Sequence, residues 1–174
     1  MPATKIFDLS DLNVAGICHA ICCKWVREGI RRGMPGVTSE QELGSRIAMF
    51  MMFELPQDAD DIIEKYHLKI VKHSEPNLQN RTFDAVMQEL MSGTGYKILA
   101  IGSFRLHGDE HQHSAHSMAI RRTSNSVQFF DPNEGAWRFD NSVELYEWLP
   151  SYIRANATYR RLLGDGCDIW TVTA

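Results

Sequence analysis

No run of about 18 apolar residues, the length a helix needs to cross a bilayer, occurs in the chain. The longest greasy stretch, Ile47 to Phe53, is sized for a core. A membrane-integral protein is therefore not expected. The opening residues, Met1 to Ser10, carry neither the charged start nor the apolar run of a cleavable signal peptide. General secretion is unsupported, while a specialised export route would leave no such trace. Positive charge is scarce as well: 18 Lys plus Arg face 22 Asp plus Glu, for a formal charge of -4, and no basic run exceeds Arg31-Arg32 or Arg160-Arg161. That balance argues against a nucleic-acid binder. Cysteine numbers only four, with Cys18, Cys22 and Cys23 crowded together, whereas a disulfide framework wants pairs spread along the chain. A reducing compartment fits best. Repeats, linkers and low-complexity tracts are missing too, so the 174 residues are expected to form one domain, 1–174. At this size about 70% of the unfolded surface can be buried, so no staple is required.

What is present begins with an amphipathic helix opening near Gly16. Cys18, Ile21, Cys22 and Trp25 lie on one stripe while Lys24, Arg27, Glu28 and Arg31 take the other side. It should end within Gly29 to Gly33. Ser39 opens a second helix reaching Met52 or Glu54, Asp58 to Tyr66 reads as a shorter one, and Leu68 to Val71 alternates like a strand. A helix from Asn80 or Thr82 carries Phe83, Val86, Met87 and Leu90 before Gly93 and Gly95 stop it. The second half changes character. Lys97 to Phe104, His116 to Arg121, Val127 to Asp131 and Trp137 to Phe139 are short β-like runs, followed by a helix at Val143 to Leu149 and a last strand at Asp168 to Thr173. Helices first and an antiparallel sheet after make an α+β arrangement.

The strongest chemical signal is a cysteine at the entry of the first helix. Backbone N–H groups there have no intrahelical partner and the macrodipole is positive, which favours a thiolate at Cys18. Such a nucleophile needs a base, and the base needs a third group to orient it. His116 begins one apolar strand and Asp131 ends the next. With a turn near Ser124-Asn125, hairpin arithmetic sets the two about opposite each other, so that a carboxylate accepts from one imidazole nitrogen while the other faces the thiol. The oxyanion formed on carbonyl attack would meet the Cys18 backbone N–H and a side-chain amide a few residues upstream, which points to Asn13.

These segments resemble a known family. Gly16-Ile17-Cys18-His19-Ala20-Ile21-Cys22-Cys23-Lys24-Trp25 is similar to the nucleophile motif of the YopT/AvrPphB-type cysteine proteases (peptidase family C58), and His116-Ser117-Met118-Ala119-Ile120 with Phe129-Phe130-Asp131-Pro132-Asn133-Glu134-Gly135 resembles their His and Asp motifs. The resemblance implies a papain-like fold, with N-terminal helices whose nucleophile helix packs on a C-terminal antiparallel sheet. It implies a Cys18, His116, Asp131 triad, an Asn13 amide about five residues before the nucleophile, and no cofactor or metal. It further implies a bacterial effector delivered by specialised secretion into the host cytoplasm, acting on a host signalling protein. Self-processing of a prodomain has no evident substrate in this stretch of sequence.

Other readings stand beside this one. Relatives of the same fold deamidate glutamine with the same covalent chemistry, and exported cell-wall amidases also use Cys and His. Cys18 alone could be inert core, since free cysteine is often buried. Cys22 and Cys23 read as core filler. His107, His111 and His113, with Asp109 and Glu110, lack a standard ligand spacing and read as a solvated loop beside the site. Together with Cys22 and Cys23 they define the alternative of another class, a non-catalytic zinc-binding or interaction module. Asp140 is the reserve for the orienting acid, although before Asn141 it reads first as a helix cap.

Overall fold

The computed structural model of the protein describes residues 4–8, 17–33, 59–76, 83–103 and 114–174. Among these residues are seven strands: β1 (Thr4–Asp8), β2 (Lys69–Ser74), β3 (Gly95–Ser103), β4 (Ser114–Arg122), β5 (Val127–Asp131), β6 (Gly135–Phe139) and β7 (Cys167–Thr173). Five helices accompany them: α1 (Ile17–Arg32), α2 (Ala59–Lys65), α3 (Asp84–Leu90), α4 (Ser142–Ala155) and α5 (Ala157–Asp165). The expected helix over Ser39 to Glu54 and the loop carrying His107, His111 and His113 lie outside the described residues.

The strands form one antiparallel sheet in the order β1-β6-β5-β4-β3-β7-β2. Its central strands were expected from the sequence, and its two edges come from the N-terminal half. β1 flanks β6 and was not anticipated, while β2 flanks β7. Period-two alternation decides what each face receives. Ile98, Ala100, Ala119, Phe130 and Trp170 point to α1 and α2, whereas Leu99, Ile101, Met118, Phe129 and Ile169 point to α3, α4 and α5. Helices on both faces explain why the central strands read as nearly continuous apolar runs.

Helix α1 lies on β4, β3 and β5 with Ile21, Cys22 and Val26 fully buried. Its Trp25 stacks on Phe130, the ring centroids 5.2 Å apart. Burying each large side chain contributes about 1.5–3 kcal/mol. The approach is close: a Cβ on Gly29 would stand 2.4 Å from the Tyr96 hydroxyl oxygen.

On the other face, α4 starts where the Asn141 side chain accepts from the Glu144 N–H at 3.0 Å, so Asn141 is the cap and the exposed Asp140 precedes it. The helix then runs past Leu149, where the sequence reading ended it, and through Pro150 to Ala155. An interior proline costs about 3 kcal/mol, and the buried stripe Leu145, Leu149, Ile153 offsets it by tying both halves of the helix to the core. Asn156 closes α4 and caps α5 by accepting from the Tyr159 N–H at 3.1 Å.

Candidate active site

The β4–β5 hairpin turns at Thr123–Ser126, where the Thr123 N–H donates to the Ser126 carbonyl at 2.9 Å. Its register runs from Arg122 against Val127 to Ala119 against Phe130 and stops there. Continued, it would set Pro132 against Ser117, and proline has no N–H to contribute. β4 stays paired to β3 as far as Ser114, so β4 and β5 part at one end of the sheet. His116 and Asp131 sit in the opening. Continued, the same register sets Asp131 against Met118, two residues from His116, in line with a turn near Ser124-Asn125 that puts the two about opposite each other. The two are diagonal on one face, a separation that long side chains span. The His116 Nε2–H donates to Asp131 Oδ1 at 2.7 Å.

The N-terminus of α1 meets this opening. Cys18 is 8% exposed, and its Sγ accepts from the Ser117 N–H at 3.4 Å. As the second residue of α1, its own backbone N–H belongs to the first turn and has no partner within the helix. With Nε2 committed to Asp131, Nδ1 is the His116 nitrogen left to face the thiol. Burial by itself disfavours a charged His116. The Asp131 charge and hydrogen bond, joined by a side-chain hydrogen bond and charge from Cys18, overcome that penalty and push its pKa up to about 10. Asp131, also buried, is disfavoured as an anion by desolvation, yet His116, Tyr152 and the Asn133 N–H hold its carboxyl below the ordinary value. The pair is thus an imidazolium and a carboxylate at neutral pH.

Asp131 accepts more than the His116 proton. The Asn133 N–H donates to Oδ1 at 2.9 Å, and the hydroxyls of Tyr152 and Tyr159 donate to Oδ2 at 2.5 and 2.7 Å. The Tyr159 ring also stacks on the His116 imidazole at 4.7 Å between centroids. Neither tyrosine was singled out in the sequence. A partial signal existed in the aromatic spacing of Trp148 and Tyr152, but it lies across Pro150, where the helix was expected to stop.

A second buried histidine adjoins Cys18. His19 donates from Nε2 to the Ala59 carbonyl at 3.0 Å, which leaves Nδ1 to accept from the Ser117 hydroxyl at 2.8 Å. Desolvation lowers its pKa to about 4, the Ala59 bond opposing only in part. His19 is therefore neutral and ties α1 to α2 and β4.

Asn13 lies outside the described residues. Cys22 and Cys23 are fully buried, and burial first of all pushes both thiols well up, which keeps them protonated and suits core packing. Among the described residues, His73, Glu75 and Asp168 bring potential metal-ligand atoms within 4.8 Å of one another, where β2 meets β7. No triad residue belongs to that group.

The chain is 23% identical over 194 aligned residues to the cysteine protease YopT of Yersinia pestis, and equally to that of Yersinia pseudotuberculosis. Each alignment covers 93% of this chain and 57% of the relative, so the chain spans little more than half the length of these curated relatives. The crystal structure of the Pseudomonas avirulence protein AvrPphB superposes with a TM-score of 0.59 at 15% identity, covering 100% of this chain and 97% of that one, which establishes the papain-like α+β fold. The family profile described as Yersinia/Haemophilus virulence surface antigen, peptidase C58, matches residues 57–166, a span that holds His116 and Asp131. The chain belongs to the peptidase C58 family, of the YopT/AvrPphB type.

Proposed function

We propose that the chain is a cysteine protease in which Cys18, His116 and Asp131 act as the catalytic triad. The observation that carries this reading is the meeting of Cys18 Sγ, held by the Ser117 N–H, with an imidazole that is itself held by Asp131 at 2.7 Å. The Cys18 thiolate attacks the carbonyl carbon of a peptide bond and pushes its π electrons onto oxygen. That oxyanion is met by the Cys18 backbone N–H and the Asn13 side-chain amide. His116 delivers its Nδ1 proton to the leaving nitrogen as the C–N bond breaks, which leaves a thioester on Cys18. A water molecule, deprotonated by His116, then hydrolyses the thioester and restores the thiolate. Asp131 keeps the ring oriented and stabilises the imidazolium. The substrate is a protein of a host cell, reached after delivery of the enzyme as a virulence effector, in line with the relatives to which the chain is similar.

Cys18→Ala should lower peptide-bond cleavage by about 10⁴-fold or more while leaving the melting temperature near that of the parent. Backbone fragments of a candidate substrate, seen by mass spectrometry and lost with Cys18→Ala, support the reading. Undiminished turnover by that variant sinks it. A substrate that gains about one dalton with its chain intact would make the enzyme a deamidase instead.

A further inference from the structure

We propose that Tyr152 and Tyr159 are positioning residues of the acid–base pair, their two phenols clamping Asp131 Oδ2 so that Oδ1 is held toward His116 Nε2. This rests on the triad reading above and names what holds that triad together.

Asp131 is fully buried, and an ionised carboxylate offers about four lone-pair sites. Four donors occupy them: His116 Nε2–H and the Asn133 N–H on Oδ1, Tyr152 and Tyr159 on Oδ2. Rotation about the Cβ–Cγ bond would break all four at once, so the carboxylate has one orientation. The phenols suit this task because burial, followed by the Asp131 charge, raises both of their pKa values, so that each remains a donor throughout the working range. Both are reached from elsewhere. Tyr152 comes from α4, beyond Pro150, and Tyr159 from the first turn of α5, where the Asn156 cap fixes its N–H and the Asn133 side-chain amide donates to its hydroxyl at 3.3 Å. Among the described residues, the titratable groups that face the pair are Cys18 and Cys22 from α1, His116 from β4, the two tyrosines, and Glu134 from the β5–β6 turn. Of these, only His116 and the tyrosines donate to the carboxylate. Removing a phenol withdraws a charge-assisted hydrogen bond from the ionised form, so Asp131 accepts a proton at higher pH.

The test needs no substrate. The rate of Cys18 alkylation by iodoacetamide is measured against pH, with the modified peptide located by mass spectrometry, for Tyr152→Phe, Tyr159→Phe and the double variant. Each phenylalanine keeps its ring in place. The acid limb of the profile should move up by about one pH unit for each phenol removed and further in the double variant, with a several-fold drop in the plateau. An acid limb that stays within experimental error of the parent while only the melting temperature falls overturns the proposal and reduces both rings to packing. Should Tyr159→Phe fail to fold, Tyr152→Phe, at a half-buried position, decides the matter by the same limb. His116→Ala serves as the reference. If it leaves the alkylation profile unaltered, the triad reading itself fails. If it moves the acid limb up toward that of an ordinary thiol while the tyrosine variants leave the limb in place, only the clamp fails.

Discussion

Two histidines flank Cys18, both removed from solvent, and their surroundings push their pKa values in opposite directions. His19 is 0% exposed and His116 6%. Around His19 the named partners are a carbonyl and a hydroxyl, both uncharged, so desolvation prevails and the pKa falls to about 4. Around His116 the same desolvation is outweighed by a carboxylate at 2.7 Å, and the pKa rises to about 10. Burial therefore does not decide the charge of an imidazole. Its partner does. The neutral ring joins secondary-structure elements, while the charged one is, in the proposed mechanism, the source of the leaving group's proton.

The largest test of this contrast removes the carboxylate charge. Asp131→Asn should make the surroundings of His116 resemble those of His19, lowering its pKa below the ordinary value and cutting turnover by about 10⁴-fold. Steady-state kinetics together with an imidazole titration by NMR would show it, and a variant retaining the high pKa would break the comparison. Next in size is His19→Ala. It strands the buried Ser117 hydroxyl and leaves a cavity between α1, α2 and β4, so a stability loss of about 3 kcal/mol is expected from the urea midpoint, with no change in the pKa of His116.

A third effect is spread over pH. Between about 4 and the unfolded value of about 6.5, His19 binds more proton in the unfolded chain, so its contribution to stability is complete above that range and lost as pH falls. His116 runs the other way. Its contribution is complete below about 6.5 and lost as pH rises toward about 10. Asp131, its pKa lowered, adds stability above its unfolded value of about 3.8 that is lost only at more acid pH. Urea unfolding across this range should give a dome, with Asp131→Asn flattening the alkaline flank and His19→Ala the acid one. Parallel losses on both flanks in either variant would deny the two rings their separate roles.

Much of this contrast could be read before any coordinates. A cysteine after Gly-Ile at the mouth of an amphipathic helix, and His116 and Asp131 on neighbouring short strands, are local patterns that the fold brings together. The diagonal offset is the one that a turn at Ser124-Asn125 gives, since it sets Asp131 two residues from the partner of His116. Tyr152 and Tyr159 escaped. Proline 150 obeys its local preference in the sequence, but tertiary packing of Leu149 and Ile153 overrides it, and the continued helix sets up both tyrosines. Ser117 looked like one polar position in an alternating strand. Its hydroxyl and N–H serve His19 and Cys18, a double duty visible only once α1 lies against β4.

That placement includes one close approach. A Cβ on Gly29 would stand 2.4 Å from the Tyr96 hydroxyl oxygen, so a side chain there displaces either the tyrosine ring or the helix. Helix α1 is stiff, so whatever lifts it at Gly29 pivots it as a rod. Cys18 rides on the same rod eleven residues away, or about 16 Å at 1.5 Å of rise per residue. Where the tyrosine ring keeps its place, a side chain at Gly29 would tilt the rod and move the sulfur at its far end without touching it.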